Sequence, residues 1–200
     1  MIAWLPVVQL GDLALTLPTA AAIAAWLVAW RAWRAAGAWC LLFALGMGLV
    51  GASEIAYMGW GGGWPAVSFK AASGHAAGVS AVFPMLFYLL LHDAGALLRA
   101  AGAVAGLALG VLVAVLVVLM HEHSASEALV GWSLGATVAI AAIARARALP
   151  PPRPLSGLVW FALVFALCAW AMQSAHVGYW MIKTARLLSS NDKLFPLGFD

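Results

Sequence analysis

The chain has 200 residues, of which 66% are hydrophobic and only 8% charged, and its formal net charge is +3. A soluble domain carries roughly a quarter charged residues, so this composition excludes a water-covered globular fold. The small positive charge is spread over connecting segments and the tail, which fits membrane topology and offers no nucleic-acid surface.

The predicted elements follow from apolar runs that reach the roughly 18–20 residues needed to cross a hydrocarbon core. Met1–Leu10 is apolar enough to lie at the interface. It lacks a basic region and a small-residue cleavage site, so a removable signal peptide is not expected. Leu13–Trp30 gives the first span, closed by Arg31 and Arg34, and the second runs from about Ala38 to Gly59. A Gly/Trp segment, Trp60-Gly-Gly-Gly-Trp64-Pro65, leads to Lys70. The third span starts near Gly74 and ends before His92-Asp93; the fourth is Leu98–Met120; the fifth runs from Ser126 to about Ala144. Arg145, Arg147 and Pro150-Pro151-Pro152-Arg153-Pro154 form a stiff connector that ends the helix. The sixth span is about Leu158–Tyr179.

The expected fold is therefore all-α: a polytopic membrane bundle of about six transmembrane helices. Residues 1–182 form one transmembrane domain, with a motif-bearing core at about 53–144, and 183–200 form a polar tail. Cys40 and Cys168 lie inside apolar runs without metal-ligand spacing and read as packing residues. The eleven tryptophans read mostly as an interfacial belt, with Trp60 and Trp64 as anchors.

Connectors after spans one, three and five hold Arg31, Arg34, Arg99, Arg145, Arg147 and Arg153, which places that side in the cytoplasm. The loops after spans two and four then face outward. Polar and ionisable groups gather there: Lys70, Ser73 and His75 before span three, and His121, Glu122, His123 and Glu127 before span five, with Glu54 near the outward end of span two. Ionisable groups are costly in a membrane, so their collection on one side points to a site. Ser73-Gly74-His75 opens a helix, where exposed N–H groups suit an anion such as phosphate. Ser126 is the expected N-cap of span five. His123 precedes Glu127 by four residues, so the carboxylate can hold one imidazole nitrogen and leave the other nucleophilic, while His75 supplies a proton. Glu54 in an apolar helix needs a partner, for which Lys70 is available.

Ser73-Gly74-His75-Ala76 followed by a helix resembles the second signature of the type 2 phosphatidic acid phosphatase superfamily. His123-Ser-Ala-Ser126-Glu127-Ala-Leu-Val-Gly131, followed by Leu134-Gly135-Ala136, resembles its third signature. The resemblance covers about Ser53 to Ala144 and implies a metal-independent lipid phosphate phosphatase without a cofactor. On that resemblance His123 is the phosphorus nucleophile, Glu127 orients it, and His75 protonates the leaving group. Ser73 and Gly74 hold the phosphoryl oxygens. A bacterial inner membrane and a site facing the periplasm or exterior are implied with it. The chain departs from the family at its phosphate-clamping cations. Val117 stands where the third signature has arginine, and the first signature's positions fall on Tyr57 and Trp64-Pro65, or on Glu54 in its shorter form. Lys70, with or without Lys183 and Arg186 of the tail, is the expected substitute. Two alternatives remain beside the phosphatase. One is a catalytically impaired protein that binds a phosphorylated lipid or scaffolds a membrane partner; the other is a metal site of His75, His121, His123 and Glu127.

Overall fold

The computed structural model describes residues 4–146, 154–191 and 193–197. Among the described residues eight α-helices follow one another: α1 (Leu5–Val8), α2 (Leu13–Ala29), α3 (Trp33–Trp60), α4 (Gly74–Leu90), α5 (Ala96–Leu119), α6 (Ala125–Ala146), α7 (Pro154–Met172) and α8 (Val177–Ser189). The described residues contain no strand beyond an isolated bridge between Trp64 and Phe69. Three helices, α3, α5 and α6, are long and apolar enough to cross a membrane, and up to five spans result if each bent pair counts as one. The chain is thus an all-helical membrane protein. α4 is a shorter apolar helix of 17 residues.

Several boundaries differ from the sequence expectation. α3 begins at Trp33, five residues before Ala38, and runs for 28 residues. α6 begins at Ala125, because Ser124 rather than Ser126 accepts the Glu127 N–H. The sixth stretch does not continue to Tyr179. It stops at Met172, and α8 leaves at a 58° bend. The polar run Gln173-Ser174-Ala175-His176 breaks it, tightening into successive i→i−3 hydrogen bonds before His176 takes a left-handed conformation at φ 43°. Part of the predicted tail is therefore helix. Arg147, the proline-rich connector through Arg153, and Met1–Ala3 lie outside the described residues.

α4 is the centre of the bundle and touches α2, α3, α5 and α6. Lipid is as apolar as leucine, so helices in a membrane associate by close backbone approach rather than by hydrophobic pattern. Glycines supply that approach on both sides of α4. A Cβ at Gly106 of α5 would meet the backbone of Pro84, and one at Gly110 would meet the Ser80 hydroxyl. From α6, a Cβ at Gly131 would meet the Ser73 carbonyl, and one at Gly135 would meet the Ala77 carbonyl. We expect Gly135→Val to lower stability by about 1–3 kcal/mol through forced separation of α4 and α6. Gly48→Ala, with no heavy atom within 4 Å of the new Cβ, serves as the neutral control in a thermal scan in detergent.

The two ends of the bundle are chemically distinct. At one end Trp30 packs on His92 with ring centroids 5.3 Å apart, and the Arg99 guanidinium lies 5.6 Å from the Tyr88 ring centroid. α2 and α7 join beside it, where Gly157 lies against the indoles of Trp26 and Trp30. At the opposite end the chain entering α2, the α3–α4 loop and the α5–α6 loop come together, and α8 docks on the last turn of α3. Cys40 faces outward and Cys168 is half-buried; both are free thiols.

Candidate functional site

The site begins with how two loops are tied to each other. α3 ends on Gly61, which adopts φ +66° and donates its N–H to the Tyr57 carbonyl, a left-handed cap that glycine takes without strain. The chain then doubles back. Trp64 N–H donates to the Phe69 carbonyl at 2.8 Å and Phe69 N–H to the Trp64 carbonyl at 3.2 Å. This turn delivers the next two amides to α6: the N–H groups of Lys70 and Ala71 donate to Oε1 of Glu127 at 2.7 and 3.3 Å. Ser126 Oγ donates to the Val67 carbonyl, and Ala72 N–H to Ser53 Oγ, so the loop is held from both sides.

Glu127 is 1% exposed, and both its oxygens are occupied. Oε2 accepts from the Ser124 N–H at 2.9 Å and lies 3.1 Å from Nδ1 of His123. A buried carboxylate already surrounded by three backbone donors is an acceptor, so Nδ1 is the protonated nitrogen and donates to it. In the neutral imidazole Nε2 of His123 then carries the lone pair, on a side chain 21% exposed. The predicted His123–Glu127 spacing is thus present as a contact.

The loop that carries His123 has its own support. His121 adopts φ 59°, and the Glu122 and His123 N–H groups both donate to the Val117 carbonyl, closing the last turn of α5. Val117 itself is fully buried in an apolar cluster with Val8, Val79, Val113 and Ala128. The position where the resemblance expects arginine is therefore dry, filled from above by the short helix α1.

Ser73 caps α4. Its Oγ accepts from the Ala76 N–H at 3.4 Å, and its own N–H donates to the Glu127 carbonyl. The side chain is wholly buried, so its part is to hold the turn rather than to face a ligand. Among the described residues no acceptor faces the N–H groups of Gly74 and His75, the free donors of a helix N-terminus. Oε1 of Glu54 lies 3.5 Å from the place a Gly74 Cβ would occupy, so a carboxylate already stands beside that terminus. His75 is half-buried against Gly11, and Glu122, Asp12 and His123 lie close enough to act on it electrostatically. The two histidines are therefore electrostatic neighbours.

Lys70 brings its backbone to Glu127, while its ammonium lies 6.0 Å from the Tyr57 ring centroid. Among the described residues no three His, Cys, Asp or Glu side chains are grouped to hold a metal ion. The contributions of Asp12 and Gly11 were missed from sequence. The available signal was an acidic N-cap, since Asp12 accepts from the Ala14 N–H at the start of α2.

An open apolar groove of about 390 Å³ runs between the end of α5 and the start of α6, reaching Leu119 and Ala125 on either side of the loop that holds His123. Val111, Ala114, Val118, Ala125, Leu129 and Trp132 line it, and Trp132 Nε1 donates to the Leu107 carbonyl at its deep end.

No family model matches the chain, and no solved structure matches it. It is similar to an uncharacterized 22.5 kDa protein in the cps region of Klebsiella pneumoniae, with 35% identity over 134 residues. That match covers 66% of this chain and spans 64% of the relative's length, and the relative is bacterial.

Proposed function

We propose that this protein is an integral-membrane phosphatase that hydrolyses a lipid phosphate or diphosphate through a phosphohistidine, as its resemblance to the type 2 phosphatidic acid phosphatases implies. The observation that carries the reading is the His123–Glu127 pair, whose carboxylate is buried and saturated and whose Nε2 is left free. The histidines His75 and His123, Ser73 and Glu127 together favour catalysis, because a scaffold has no physical need for all four.

In this scheme Nε2 of His123 attacks phosphorus, forming an N–P bond as the P–O bond to the lipid breaks. His75 gives its proton to the departing oxygen. It then takes a proton from water, whose oxygen attacks phosphorus and releases His123 and phosphate. About six spans, arginine connectors in the cytoplasm and a site facing the periplasm or exterior of a bacterial inner membrane complete the proposal. The free N–H groups of Gly74 and His75 hold phosphoryl oxygens, with Lys70 supplying positive charge. The lipid's apolar chain lies in the α5–α6 groove, whose upper lip adjoins the His123 loop.

The test is release of inorganic phosphate in detergent, with a metal chelator present, from lipid phosphates and diphosphates, comparing wild type with His123→Ala. The groove is tested separately. Ala114→Phe fills it and is expected to reduce turnover of a long-chain lipid phosphate by about tenfold, the scale of a lost apolar subsite. Turnover of a short, water-soluble phosphate ester is expected to stay the same.

A second reading is favoured by the carboxyl group of Glu54 beside the N-terminus of α4. An acid there competes with phosphate for the same donors, as expected of a protein that has kept the fold and lost turnover. Such a protein would bind a phosphorylated lipid or a membrane partner. Absence of phosphate release from every substrate would decide for it.

A further inference from the structure

α8 carries a chemistry that the proposed site does not use. It has 13 residues, leaves α7 at a 58° bend, and contains no acidic residue from Val177 to Ser189. It does not hang free. Ala185 is fully buried, Gly59 of α3 packs on the Ala185 carbonyl and Ser189, and Asn191 Nδ2 donates to the Gly59 carbonyl at 2.8 Å. Beyond it Phe195 N–H donates to the Met58 carbonyl, and its ring lies against Gly61 and Tyr57. The helix is therefore fixed across the end of the bundle where the loops of the candidate site meet.

With one side spent on α3, two faces remain. Trp180, Leu187 and Leu188 are 56%, 73% and 62% exposed along one face. Lys183 and Arg186, one turn apart, occupy the adjoining face, and Lys183 Nζ lies 5.0 Å from the Trp180 ring centroid. Among the described residues neither cation forms an ion pair. An apolar face flanked by unneutralised cations and an amphipathic aromatic, at the level where spanning helices end, matches the boundary between acyl chains and headgroups.

We propose that α8 is an interfacial helix that sinks Trp180, Leu187 and Leu188 into one leaflet and binds anionic phospholipid headgroups through Lys183 and Arg186. The assignment does not depend on phosphatase activity. The occupant is a bilayer phospholipid because charge complementarity and the apolar face must be met together, and an anionic lipid offers both in one molecule. Each cation near such a surface raises anionic-lipid occupancy by about fivefold.

The test uses the full chain reconstituted in bilayers with equal phosphatidylglycerol and phosphatidylcholine, extracted in mild detergent, with retained lipid quantified by mass spectrometry. Wild type is expected to retain phosphatidylglycerol preferentially, and Lys183→Gln/Arg186→Gln to lose that preference by about tenfold or more with an unchanged melting temperature. Lys193→Gln is the control expected to retain it. Equal retention by the folded double variant overturns the headgroup assignment, as would capture of a protein in place of lipid. Immersion is read separately from a fluorophore at Leu187→Cys on a Cys40→Ser/Cys168→Ser background. Quenching by acyl-chain spin labels is expected, and quenching by aqueous iodide alone overturns the interfacial placement. Should that background fail to fold, the lipid-retention comparison stands on the native cysteines.

Discussion

His123→Ala is expected to abolish phosphate release, lowering kcat by at least about 10³-fold while leaving the fold intact. The asymmetry follows from geometry. The imidazole is partly exposed, and its one described tie is Nδ1 to Glu127, so removal leaves the carboxylate still held by the Lys70, Ala71 and Ser124 amides. Little stability is lost. The proposed reaction, by contrast, uses the His123 imidazole as its nucleophile. Trapping is the complementary measurement: wild type quenched in turnover with a labelled substrate should retain acid-labile, base-stable label, and His123→Ala should retain none. His75→Ala should still accept label and release it more slowly, because the proton donor acts on both steps. Label retained by His123→Ala would show that phosphorus goes elsewhere.

Glu127→Ala is expected to do the opposite in kind, costing about 3–5 kcal/mol of stability as well as turnover. Three backbone N–H groups lose their acceptor at once, two of them from a loop 57 and 56 residues away in sequence. The α3–α4 loop then loses part of its tie to α6, and the melting temperature should fall by roughly 10 °C or more. Glu127→Gln separates the two roles. Its oxygen can replace Oε1 for Lys70 and Ala71, but its NH₂ would face the Ser124 N–H and Nδ1 of His123. We expect the smaller part of the stability loss together with a fall of about 10²–10⁴-fold in turnover, since the imidazole is no longer held in one tautomer. A thermal scan and phosphate release on the same preparations distinguish these outcomes. A Gln variant with full turnover would leave Glu127 as a structural clasp alone.

The same two residues mark the limit of what the sequence conveys. His123 and Glu127 stand four apart across the start of α6, and that short separation brings them within reach once the turn at Ser124 forms. Ser73 before Gly74 is equally local, and the capped turn appears where the sequence puts it. The other half of the carboxylate's environment is not local. Nothing in the spacing of Lys70 and Ala71 announces that their amides meet Glu127, because the tie depends on how α4 and α6 approach along Gly131 and Gly135. The sixth stretch was misjudged for a related reason. Hydropathy carries smoothly past Met172, while the bend is made by backbone hydrogen bonds at Gln173–His176 and held by the docking of Ala185 on α3.

By itself, then, the sequence determined that the chain is a helical membrane protein, roughly where its helices run, and which loops hold its ionisable groups. These properties rest on composition, length and near-neighbour spacing. Only the tertiary structure decided that α1 fills the space around Val117, that Glu54 stands at the N-terminus of α4, and that Gly11 packs on His75. In water an apolar stripe shows which face of a helix is buried. In a bilayer the lipid-facing and protein-facing sides are both apolar, so the pattern that would reveal partners is erased, and glycine contacts and polar ties between distant loops decide which helices meet.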